Sequence, residues 1–88
     1  MPPVNAQALR RSFAEQLGIP IEIAESNIRE SLLIIDGIYC GRRFSLDGYT
    51  LTWFVEENQV KMMSPQGQLV TACSPSAFTT YSPNRQAA

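Results

Sequence analysis

From Ser31 to Cys73, apolar and polar residues alternate in short runs, each closed by turn-forming residues. Asp36-Gly37 and Asp47-Gly48 both lie between alternating hydrophobic segments, a pattern that marks two-residue hairpin turns. "EENQ" and "SPQGQ" supply two further turns. The pattern predicts a five-stranded antiparallel meander: Ser31–Ile35, Ile38–Leu46, Tyr49–Glu56, Gln59–Met63 and Gln68–Ala72.

Ahead of the meander the period changes. Leu9, Phe13 and Leu17 recur every fourth residue and form one apolar stripe, as on a helix that docks against a core. Asn5 suits the N-cap, and Val4 and Leu9 stand at the positions of a hydrophobic staple. Gly18 and Pro20 mark the end. In "IPIEIAESNIRE" the alternation of Ile19, Ile21 and Ile23 predicts a short extended piece, although Pro20 could equally open a helix. The C-terminal "SPSAFTTYSPNRQAA" is mostly small and polar, which predicts disorder. The expected fold is therefore α+β, one N-terminal helix packed on the meander. Residues 1–4 form an arm, 5–73 the domain and 74–88 a disordered tail.

Two-residue loops at both Asp-Gly turns, and at Glu57-Asn58, fix a register. Leu33 then pairs with Cys40, Arg42 with Trp53, Cys40 with Val55, and Trp53 with Met62. One face collects Leu33, Ile35, Ile38, Cys40, Phe44, Leu46, Leu51, Trp53, Val55, Val60, Met62 and Leu69, which the helix covers. Arg42 is the odd member there, its stem lying across Trp53 in a cation–π contact. The second face carries Leu32, Ile34, Tyr39, Arg43, Phe54, Lys61, Met63 and Val70, with Gly41 opposite Phe54. A solvated face is usually more polar than this. One short helix cannot cover both sides, so these eight residues are the candidate interface, for a homodimer or for another protein partner. The segment Ile19–Ile23 or the tail could instead cover them.

The 88 residues make one small domain with a thin core. Net charge is −1 and there is no histidine, so the broad basic field behind sequence-independent nucleic-acid binding is missing. An alternative, weak single-strand binding, would use Tyr39 and Phe54 as stacking platforms with Arg43 and Lys61 on phosphates. No aliphatic run approaches the roughly 20 residues of a membrane span. The first residues do not read as a secretory signal, and a cytoplasmic address is expected.

Candidate chemistry is sparse. Cys40 and Cys73 lack the spacing of a redox or zinc pair, and whether they ever form a disulfide is left open by the sequence. Adjacent Glu56 and Glu57 point to opposite faces of a strand and do not converge. Asp36 and Asp47 are accounted for by their turns. No nucleophile–base constellation, metal site or phosphate loop is visible, so neither catalysis nor a cofactor is expected. The string "IDGIYCGRRFSLDGYTLTWFVEENQVKMMSPQGQL" resembles a group of short β-rich bacterial proteins that share IDG-x-Y-C-G-R-R-F followed by W-F-x-E-E. The likeness spans about the middle of the chain, and it implies no activity, ligand or catalytic residue.

Overall fold

The structure is a computed structural model that describes residues 5–80. Helix α1 runs Ala6–Gln16 and α2 Ile21–Asn27. Strands β1 (Arg29–Ile35), β2 (Ile38–Leu46), β3 (Tyr49–Phe54), β4 (Gln59–Met63) and β5 (Leu69–Cys73) follow, then helix α3, Pro75–Thr80. The strands form one antiparallel sheet in the order β1-β2-β3-β4-β5. The chain is thus α+β, with its N-terminal helix on a five-stranded meander.

Local chemistry sets the ends of α1. Asn5 Oδ1 accepts the Ala8 amide at 2.9 Å, satisfying one of the donors that a helix start leaves unpaired. At the other end the Ile19 amide returns to the Ala14 carbonyl at 3.0 Å and the Gly18 amide to Glu15 at 3.1 Å, a Schellman-type closure. Leu9 and Phe13 are fully buried. Val4, the other half of the expected staple, lies outside the described residues.

Two segments correct the sequence reading. "IEIAESN" is helical, with Pro20 at its N-cap and the Pro20 carbonyl accepting the Ile23 and Ala24 amides. The alternation of Ile19, Ile21 and Ile23 misleads because Ile21, Ala24 and Ile28 also form a helical stripe, and that stripe is what packs against the core. The tail expected to be disordered from Ser74 begins with α3 instead; its remainder, residues 81–88, lies outside the described residues. Ser74 Oγ accepts the Ala77 amide at 3.1 Å, and Pro75 occupies the first turn, where its missing N–H costs nothing. Phe78 is 1% exposed and joins Leu9, Phe13, Ala14, Ala24, Phe44, Leu46, Leu51, Val60 and Met62 in one core. All three helices therefore lie on the same side of the sheet, and neither α2 nor α3 covers the other.

Both Asp-Gly turns have positive φ at both central residues, 53° and 78° at Asp36-Gly37 and 54° and 83° at Asp47-Gly48. This is the type I′ geometry that matches strand twist. The third loop is longer than expected. Val55–Asn58 makes a four-residue turn closed by the Asn58 amide on the Val55 carbonyl at 3.2 Å, with Asn58 at φ 53°. Trp53 consequently pairs with Val60 rather than Met62. A slip of two residues leaves every side chain on its expected face.

Slips of one residue do not. Ile35 pairs with Ile38 and Ile34 with Tyr39, but Leu33 then pairs with Gly41, leaving Cys40 as the extra residue of a bulge. Beyond Met62↔Thr71, Met63 pairs with Leu69, which makes Val70 the extra residue of a second bulge. A Cβ on Gly41 would lie 1.7 Å from the Trp53 carbonyl oxygen. The Cys40–Gly41 backbone therefore approaches β3 in a way that only glycine permits.

Two outcomes test this packing. Gly41→Ala should unfold the sheet or force β2 to shift, read as lost or broadened amide resonances across β2 and β3. Phe78→Ala should cost about 3–5 kcal/mol in denaturant unfolding, as for a buried aromatic, whereas a disordered tail would give no change.

Candidate functional site

Paired residues of neighbouring strands project from the same side of a sheet, so the two bulges redistribute the candidate interface. Leu32 pairs with Arg42, and Arg42 with Trp53, which packs on the core. Leu32, Ile34 and Tyr39 thus project from the helix-bearing side, not from the second face. Leu33, Ile35 and Ile38, expected in the core, project from the opposite side. The slip at Cys40 has exchanged the two sets. The same holds at the far edge. Leu69, expected in the core, now shares the second face with Met63, while Val70 lines a groove with Gln16 and Phe78 of the helical layer.

Arg43, Phe54, Lys61 and Met63 remain on the second face as expected. That face is not a bare apolar surface. Thr52, between Arg43 and Lys61 in the pairing, is buried, and Phe54 and Met63 are half-buried. The Lys61 ammonium sits 5.6 Å from the Phe54 ring centroid, a cation–π distance that also shields the ring. The four residues of the single-strand-binding alternative do not form one surface, because Tyr39 faces away from Arg43, Phe54 and Lys61.

Exposure concentrates at the sheet edges. Six of the seven β1 residues are exposed, and Leu32, Ile34, Ile35 and Ile38 are each more than half exposed. Tyr39 adds an exposed ring beside them. The helices cover the centre of β2–β4 and stop short of this hairpin. On β5, Leu69 and Val70 form a smaller exposed pair.

A charged cluster closes the core where β1 meets α1. Glu30 Oε1 accepts from Arg10 Nη1 at 2.7 Å and Oε2 from Arg42 Nη1 at 2.5 Å. The Tyr39 hydroxyl, followed by the Glu30 carboxylate, holds the Arg42 guanidinium still more firmly in its charged form. Arg42 is therefore engaged by Glu30 rather than by the Trp53 ring. The indole N–H of Trp53 is buried and has no partner among the described residues.

Elsewhere the chemistry is plain. Cys40 Sγ is 3.4 Å from the Ile38 carbonyl, and burial pushes the Cys73 thiol up from its ordinary value. Both are free thiols. They lie on β2 and β5, separated by about 14 Å at the usual strand spacing, too far for a disulfide within one chain. Glu56 and Glu57 sit in the four-residue turn, at the rim of a depression of about 210 Å³ whose floor includes Ile35, Ile38 and Phe54. Among the described residues no group of His, Cys, Asp and Glu is arranged to hold a metal ion. No helix there is long and apolar enough to cross a membrane.

Comparison with protein-family models, with curated proteins and with solved structures finds no match. The likeness to short β-rich bacterial proteins accordingly gains no support from them.

Glu30→Ala should lower stability by about 1 kcal/mol, the scale of partly exposed ion pairs. The loss should shrink in high salt, as read by paired denaturant titrations at low and high ionic strength.

Proposed function

We propose that this chain is a small interaction module without catalysis of its own, acting by self-association through β1 and the β1–β2 hairpin. One observation carries the reading: the edge strand and its neighbour expose apolar side chains on both sides of the sheet, Leu32, Ile34 and Tyr39 on the helix-bearing side and Ile35 and Ile38 on the other. Exposed apolar side chains clustered at one edge of a small domain cost solubility unless a partner covers them. Closed two-fold association is the commonest way in which identical chains do so. The second face supports this role less well, since its apolar members are half-buried among Arg43, Thr52 and Lys61. A reducing, cytoplasmic setting suits the two thiols, which no bridge within the chain can join.

Solution mass by light scattering, followed over a wide range of concentration, tests the proposal. The expected result is a dimer that dissociates on dilution. Ile34→Asp should yield monomers with an unchanged far-ultraviolet spectrum. A parent chain that stays monomeric at every concentration contradicts the reading.

A further inference from the structure

We propose that β1 pairs antiparallel with β1 of a second copy about a two-fold axis through Leu32, merging the two five-stranded sheets into one continuous sheet. This rests on the self-association reading above and specifies its geometry.

An edge strand presents unpaired N–H and C=O groups, and folded proteins usually blunt it with proline, lysine, a bulge or a covering segment. On β1, "RESLLII" contains neither proline nor lysine. The nearby bulge falls on β2, leaving β1 uninterrupted. At the other edge the second bulge falls on β5 itself, and α3 follows directly. Among the described residues, β1 is the edge left open for pairing.

The turn fixes which groups point outward. With a two-residue type I′ loop, Ile35 and Ile38 exchange both backbone bonds. Alternation along β1 then turns the amides of Leu32 and Ile34 away from β2. A two-fold axis normal to the sheet places the same face of both copies upward, so a residue can oppose only one of the same parity.

Among the allowed registers, the one centred on Leu32 overlaps the whole of β1. It sets Arg29 opposite Ile35, Glu30 opposite Ile34, Ser31 opposite Leu33 and Leu32 opposite itself. Each Arg29 then lies beside the partner's Asp36, so opposite charges meet at both ends. Moving the centre to Leu33 instead sets Glu30 against Asp36, two like charges. Glu30 tolerates an apolar neighbour because Arg10 and Arg42 already hold its carboxylate.

Proline is tolerated on an edge where its missing N–H faces outward. Leu32→Pro should therefore keep the parent's circular dichroism but remain monomeric at concentrations where the parent is dimeric. A second experiment covers the case in which that variant does not fold. Ser31→Cys and Leu33→Cys are made separately, each with Cys40 and Cys73 changed to Ser, and are oxidised alone and as a mixture. A covalent dimer in the mixture alone supports the register. A folded, dimeric Leu32→Pro overturns β1 pairing while leaving self-association intact. Crosslinking of Leu33→Cys alone, or no crosslink in a mixture that light scattering shows to be dimeric, overturns the register. A parent that is monomeric throughout overturns the self-association reading and this geometry together.

Discussion

The close approach of Gly41 to the Trp53 carbonyl is the contact on which the rest of the sheet's surface depends. No side chain fits between the two backbones there, and the extra residue Cys40 falls at the same point. Because strand side chains alternate with a period of two, one extra residue exchanges the two faces beyond it. Phe44, Leu46, Leu51, Val60 and Met62 therefore stay in the core, while the aliphatic residues at the hairpin end cannot all join them. The cost of the bulge is an apolar, exposed hairpin. Its consequence is a surface on which pairing can occur.

The helical layer accounts for the other half of the arrangement. Phe13 of α1, Ala24 of α2 and Phe78 of α3 converge on the same core, which concentrates all covering elements on one side. Where α1 ends its contact with the sheet, the cluster of Arg10, Glu30 and Arg42 takes over from apolar packing. Those charges seal the core boundary at β1 and also mark where the helices stop. No described helix covers the opposite face, where Thr52 pairs with Arg43 and Lys61 and is buried, and the Lys61 ammonium sits over the Phe54 ring.

Much of this was legible in the sequence. The Asp-Gly turns located four strand ends correctly, the Asn5–Gly18 punctuation located α1, and the central pairs from Gly41↔Phe54 to Leu46↔Tyr49 followed from turn length alone. The failures share a cause: each was a place where two local signals competed. Gly41 was placed opposite Phe54, where it does lie, but a strand glycine is equally the mark of a bulge, and the bulge beside it was missed. Ile19, Ile21 and Ile23 fit period two, while Ile21, Ala24 and Ile28 fit the helical period. In "SPSAF", a serine cap, a first-turn proline and one buried aromatic outweighed a composition that looks disordered. Half of the candidate interface moved because residue type was read correctly and side was not. Leu32, Ile34 and Tyr39 are exposed and apolar as the pattern suggested, but they flank the edge strand from the helix-bearing side.

Residue-resolved amide exchange along β1, compared between dilute and concentrated protein, tests the central claim most directly. In dilute solution the amides of Leu32 and Ile34 should exchange quickly while those of Leu33 and Ile35 are protected. At high concentration Leu32 and Ile34 should gain protection. Uniform protection along β1 when dilute, or the same exchange pattern at every concentration, would contradict an open edge that serves as the binding element.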